Sequence, residues 1–296
     1  MPNIDSTMGC CRRGKEFIRI VCDNGTTDGV PDPLCATGGV TVTVSFVNHA
    51  PVPSTVTWSP TVDPLKVNTS VTATGSFTDV DTGDTHTATW SWGDGATSSG
   101  TVTAEPGSNP GTVTGSHTYA AAGLYTVTLT ITDKAGATGT LTYKSVNVYN
   151  PTGTISGSGQ ISSPAGSYLA NPSLAGTATF SSISVKYANG ATVPSGTTSF
   201  SYTPANLTFS ASTFKWLITT GGKAWYKGTG TVTINGSSQS CNFLVAAVDG
   251  PNFTTDYFRI KIWIASGTIY DDQKGAADDA VAAVVATTGV ASITVR

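Results

Sequence analysis

The chain has 296 residues and a net charge of −3, and its isoelectric point is near 5.5. Only 11% of residues are charged while 39% are hydrophobic; disorder needs high charge or few apolar groups, and a mildly acidic chain offers no general attraction to a phosphate backbone. No stretch approaches the roughly 20 apolar residues of a membrane-spanning helix, so nucleic acid and insertion into a bilayer are both excluded as expectations.

Hydroxyls rather than charges supply the polarity. Thr and Val are stiff at χ1 and suit pleated strands better than helices. Four of the five cysteines, Cys10, Cys11, Cys22 and Cys35, lie in the first 35 residues. Segment 1–49 is too short to build its own core, and bridges such as Cys22–Cys35 would staple it. Free thiols and a metal site are the alternatives, although no His lies nearby and no Cys-x-x-Cys pair is present. Residues 1–20 lack the apolar core of a secretory signal, and Met8-Gly9-Cys10 lacks the hydrophobic run of a lipoprotein box. The expectation is a removed leader or delivery without general secretion, as for a phage particle protein. Arg12-Arg13-Gly14-Lys15 reads as a solvated strand entry. Phe17-Ile18-Arg19-Ile20-Val21 reads as a strand, and 23–33 is dense in turn formers without the spacing of an EF-hand.

Val40-Thr41-Val42-Thr43-Val44-Ser45-Phe46 alternates with period 2, as a half-buried strand does. Asn48-His49-Ala50-Pro51-Val52-Pro53 reads as a stiff linker. Alternation then recurs at 71–77, 85–92, 124–131 and 139–148, broken by Gly, Asp and Pro turns, which is the pattern of a sandwich. Trp90 and Trp92 are two apart and share a face, while Gly93-Asp94-Gly95 has the freedom a tight hairpin needs.

The order Trp90-Ser91-Trp92-Gly93-Asp94-Gly95, then His117-Thr118-Tyr119, then Gly123-Leu124-Tyr125-Thr126-Val127 running to Asp133, resembles the PKD domain. The resemblance covers about a third of the chain and implies an immunoglobulin-like β-sandwich that serves as a spacer or adhesion unit. Residues 151–296 open on a Gly/Ser stretch and carry further strands at 178–180, 198–202, 225–233, 241–245 and 256–264. Through Gly190-Ala191-Thr192-Val193-Pro194-Ser195-Gly196, Tyr226-Lys227-Gly228-Thr229-Gly230, Phe258-Arg259-Ile260-Lys261-Ile262-Trp263 and Ile269-Tyr270-Asp271-Asp272-Gln273 this half resembles a domain found after PKD or hyaline repeats in bacterial secreted proteins, a resemblance that implies location and no chemistry.

Only three His are present, His49, His86 and His117, and no nucleophile motif accompanies them, so no catalytic residue is assigned. Asp79, Asp81 and Asp84 place carboxylates at short intervals beside a strand end. Ca²⁺ takes six to eight oxygens from such clusters, and Asp94 or Asp133 would add to them; the alternative is a turn whose carboxylates cap backbone N–H groups. Asp271, Asp272, Asp278 and Asp279 form a second cluster that would bind Ca²⁺ or cap a short helix. Cys241 reads as a buried free thiol. Trp216, Trp225, Tyr226 and Trp263 are either core or a stacking platform for sugar rings.

The reading is an all-β chain of tandem β-sandwich modules, with a Cys-rich segment at 1–49, a PKD-like domain at 50–150 and a β-rich domain at 151–296. Its expected role is a non-enzymatic structural or adhesive protein, extracellular or on a cell or virion surface. Its expected partner is another protein or a second copy, with Ca²⁺ as the one ion to consider. A carbohydrate-binding accessory module is the alternative.

Overall fold

A computed structural model of the chain describes residues 16–22, 26–27, 30–31, 35–41, 47–81, 83–103, 111–250, 256–278 and 287–296. Cys10, Cys11, the basic cluster at 12–15, the turn residues Asp23, Asn24 and Gly25, the end of the 40–46 strand and Asp279 lie outside these residues. The chain divides into two units, Met1–His49 and Ala50–Arg296.

In the first unit, strands β1 (Glu16–Cys22), β2 (Thr26–Thr27), β3 (Val30–Pro31) and β4 (Cys35–Thr41) form two antiparallel ladders, β1 with β4 and β2 with β3. The register sets Cys22 directly opposite Cys35.

The second unit begins with β5 (Val52–Ser59), β6 (Leu65–Lys66), β7 (Ser70–Thr78), β8 (His86–Ser91), β9 (Thr97–Thr103), β10 (Gly111–Thr118), β11 (Gly123–Asp133) and β12 (Thr138–Tyr149). They form one sheet in the order β5-β7-β10-β9-β8-β11-β12-β6. The sheet folds over on itself, so that β7 and β10 face β8 and β11. The alternation read from the sequence is the reason: every second residue of β7 and of β8 is buried, and Val71, Ala73, Phe77, Trp90, Trp92, Val113, Leu129 and Ile131 meet in one core. Trp90 dictates a small neighbour. A Cβ on Gly115 would lie 2.4 Å from Trp90 Cδ1, so the indole occupies the space a side chain there would need. The linker reading of 48–53 changes at its end. Val52 and Pro53 belong to β5, opposite Thr78 and Phe77. That strand is the sheet edge, where the missing N–H of a proline is tolerated.

The remainder is β13 (Thr154–Ser163), β14 (Gly176–Lys186), β15 (Ser195–Tyr202), β16 (Leu207–Thr220), β17 (Lys223–Ile234), β18 (Ser237–Val248), β19 (Tyr257–Ile264), β20 (Gly267–Asp271) and β21 (Thr287–Val295). Each strand from β13 to β19 pairs with its successor, and β21 returns to pair with β13. The stretch at 153–160, Gly/Ser-rich in sequence, is mostly the strand β13. This sheet is also folded over. Phe180 of β14 stacks on Phe258 of β19 with centroids 4.2 Å apart, and Phe200 of β15 meets Tyr270 of β20 at 5.0 Å. Those strands are far apart in the sheet order, so only a sheet turned onto itself brings their rings together.

The two sheets meet at Asp63, between β5 and β6. Its carboxylate accepts from Asn147 Nδ2 at 2.7 Å in its own sheet, and from Lys215 Nζ at 2.6 Å and Trp216 Nε1 at 2.7 Å in the second. Burial pushes the Asp63 carboxyl up, but Lys215, Asn147 and Trp216 together outweigh it and hold the group below the usual carboxylate range. Nearby, Tyr149 stacks on Tyr187 at 4.9 Å, and Ala122 and Tyr149 join the core of the second sheet.

Candidate functional site

Asp79 follows β7, Asp84 precedes β8 and Asp133 ends β11. The β11–β8 ladder sets Asp133 opposite His86, and this pairing draws three loop ends together. One carboxylate oxygen from each of Asp79, Asp84 and Asp133 lies within 4.8 Å of the others. Each residue is buried. Asp79 Oδ2 is 2.9 Å from His86 Nε2, and Asp79 Oδ1 accepts from the Asp81 N–H at 2.9 Å. Asp133 Oδ1 accepts from the Ala135 and Ala137 N–H groups at 2.8 and 3.0 Å. Asp84 Oδ1 pairs with Lys134 Nζ at 2.7 Å, whereas Asp84 Oδ2 is buried with no hydrogen-bond partner.

The group thus combines capping turns with an orphaned oxygen. A buried acceptor without a donor costs about 1–3 kcal/mol, and a hard cation among three carboxylates would supply what Asp84 lacks. The structure brings Asp79 and Asp84 together as their spacing suggests, but the third carboxylate is that of Asp133. Asp81 serves Asp79 through its backbone. Asp133 is distant in sequence and joins through strand pairing, which the local run of acids does not reveal.

A second constellation runs along the β8–β9 hairpin. Gly93 and Gly95 both have positive φ, 85° and 94°, and Asp94 Oδ1 accepts from the Ala96 N–H at 3.0 Å, closing the turn. Asp94 Oδ2 is 2.7 Å from His117 Nε2. Burial raises the Asp94 carboxyl, but the His117 and Ala96 hydrogen bonds outweigh it, and the group sits below its ordinary range. Trp90, Trp92 and His117 stack in sequence, with centroid separations of 5.5 and 5.0 Å. Tyr119 meets His117 edge-on, stacks on Tyr125 at 4.6 Å and donates its hydroxyl to the Trp92 carbonyl at 3.0 Å. The rings of the Trp-x-Trp, His-x-Tyr and Gly-x-Tyr pattern therefore form one continuous packing column, with Asp94 bonded to its histidine.

Residues 48–148 match the family model of the PKD domain. No relative among curated proteins matches the chain. The matched stretch takes in the first sheet of the second unit and stops where the second sheet begins. PKD domains occur in extracellular proteins, generally mediate protein–protein contact, and have a fold that is typically non-catalytic. Among the described residues no helix is long and apolar enough to cross a membrane.

Beyond the PKD domain, Asp271, Asp272 and Asp278 each have a structural partner, while Asp272 Oδ2, like Asp84 Oδ2, is buried with no hydrogen-bond partner. Arg259, 1% exposed, donates through Nε and Nη2 to the two Asp271 oxygens at 3.3 and 3.2 Å. Its Nη1 and Nη2 also donate to the Ala277 and Ala276 carbonyls. Asp272 Oδ1 accepts from the Ile260 N–H at 3.0 Å, and Asp278 pairs with Lys261 at 2.7 Å. Burial, with the Asp271 charge adding to it, pushes the Asp272 carboxyl up to about 8. Cys241 is a buried free thiol, and burial raises it to about 11. Of the four rings considered as a sugar platform, Trp216, Trp225 and Tyr226 are buried. Only Trp263 is partly exposed.

Proposed function

We propose that this chain is a non-enzymatic structural or adhesive protein of an external surface, a cell envelope or a virion exterior. The match of residues 48–148 to the PKD domain carries the reading. The Asp63 node supports it, because a hydrogen-bonded joint between two folded sheets makes a stiff unit of the kind a surface contact needs. In this reading Cys22 and Cys35, opposite each other in the β1–β4 ladder, form a disulfide, the staple that an oxidising compartment permits. The test is retention of beads coated with the full chain on the surface of the source cells or particles. Retention that soluble chain competes away is the expected result, and beads that wash off as freely as uncoated ones would remove the adhesive role.

The Asp79, Asp84 and Asp133 cluster is proposed to hold Ca²⁺. If the ion binds the native state alone, saturation at 100 times its Kd adds about 2.7 kcal/mol of stability. Thermal unfolding of the chain should therefore rise in millimolar calcium relative to chelator. Asp133→Asn should abolish the shift and Asp81→Asn should leave it in place. Equal midpoints in calcium and chelator for the parent chain would dismiss the ion.

A further inference from the structure

We propose that the groove between the two sheets of the second unit binds an acidic glycan, a chain of sugar rings bearing carboxylates. The inference rests on the surface-protein reading and names the partner it leaves open. The groove encloses about 920 Å³, within the range of known ligand sites. Pro60, Pro64 and Lys66 line it from the PKD domain, and Lys215, Lys227 and Trp263 from the second sheet.

Charge is the first argument. In a chain of net charge −3, the described residues that line this groove include three lysines and no carboxylate. Lys215 is held by Asp63, and Lys261, beside the groove, by Asp278. Lys66 and Lys227 have no carboxylate partner among the described residues. The Lys227 and Lys261 ammonium groups lie 5.7 and 5.4 Å from the centroid of the Trp263 ring. An apolar ring wall and free positive charge therefore share one corner.

Register supplies the second argument. Thr213 lies opposite Thr229, Thr229 opposite Asn242, and Asn242 opposite Trp263. Directly paired residues share a face, so these four side chains form one row across β16, β17, β18 and β19. The row spans three inter-strand spacings, about 14 Å. Thr213 Oγ1 and Thr229 Oγ1 are 2.7 Å apart. Hydroxyls and an amide in a flat row match sugar hydroxyls, the indole matches the apolar face of a ring, and an ammonium group matches a carboxylate through a charge-assisted bond. An acidic peptide fits less well. Extended peptides dock by adding a strand to a free sheet edge, whereas β16, β17 and β18 are interior strands with neighbours on both sides.

The experiment is titration calorimetry of the full chain in chelator, which keeps calcium from bridging carboxylates. The probes are oligogalacturonate, a neutral galactose oligomer of equal length, and polyglutamate. Oligogalacturonate should bind, weaken as salt rises, and lose about tenfold in affinity in Lys227→Gln and in Trp263→Ala. The neutral oligomer should bind at least about tenfold more weakly. Lys66→Gln combined with Lys227→Gln serves as the charge variant if Trp263→Ala does not fold, and each variant's unfolding midpoint is recorded. Failure of the folded parent chain to bind oligogalacturonate overturns the proposal. So does binding that the groove substitutions leave unchanged, or equal binding of the neutral oligomer. Equal, substitution-sensitive binding of polyglutamate overturns it in favour of an acidic peptide. Bead retention without oligogalacturonate binding would sink the groove assignment alone, and oligogalacturonate binding without retention would sink the surface role instead.

Discussion

Trp92→Ala is expected to lower the free energy of unfolding by about 3–5 kcal/mol, the range for truncating a large aromatic in a core that cannot close over the gap. The side chain is fully buried. It sits between Trp90 and His117 in the stacked column, and its Nε1 donates to Ser98 Oγ at 3.0 Å. Truncation leaves a cavity between two rings, removes the Ser98 partner and loosens the hairpin that holds Asp94 against His117. Urea unfolding followed by far-UV circular dichroism measures the loss. A change under about 1 kcal/mol would mean that the column does not organise the PKD core.

Arg259→Ala should cost a similar 3–5 kcal/mol by a different route. Removing one member of a buried ion pair leaves the other charge uncompensated, and this is the expensive event. Here Asp271 would be stranded 5% exposed, next to Asp272 at 4%, and the Ala276 and Ala277 carbonyls would lose their donor. A double variant, Arg259→Met with Asp271→Leu, removes both charges and should recover most of the loss. A double variant no more stable than Arg259→Ala would show that packing around Arg259, and not its charge, is what matters. The same network predicts a pH dependence. The Asp272 carboxyl stands at about 8 in the fold against an ordinary 3.8, so the folded state holds a proton that the unfolded chain has released. Its contribution is fully present below about pH 4 and is lost as pH rises to about 8. Asp272→Asn should flatten that part of the stability profile.

Much of the fold is legible in the chain because its strands alternate. The burial of every second residue along β7 and β8, and the shared face of Trp90 and Trp92, follow from a period of 2. What local reading misses is long-range pairing. Asp94 and Asp133 are both open to the cluster in the sequence, and it is the pairing of β11 with β8 that brings Asp133 to Asp79 and Asp84 while Asp94 binds His117. The choice between core and stacking platform is open in the sequence for a related reason. Trp225 and Tyr226 are adjacent and point to opposite faces, so alternation alone allows one of them to be exposed. Both are buried, in a stretch where Trp216, Leu217 and Ile218 are also buried in succession and where Ala122 and Tyr149 of the first sheet join the core. A strand covered on both faces loses its alternation, and the covering element is remote in sequence. The Pro51-Val52-Pro53 run reads as linker for the opposite reason: its prolines look like strand breakers, yet an edge strand can accept them.

The central claim is that this chain works on the outside of a cell or particle. Antibody raised against the folded chain and applied to intact, unpermeabilised cells or purified particles of the source tests it most directly. The account predicts labelling of the intact surface at a level that permeabilisation does not increase. Signal that appears only after permeabilisation, with the protein recovered in the soluble interior fraction, would contradict it.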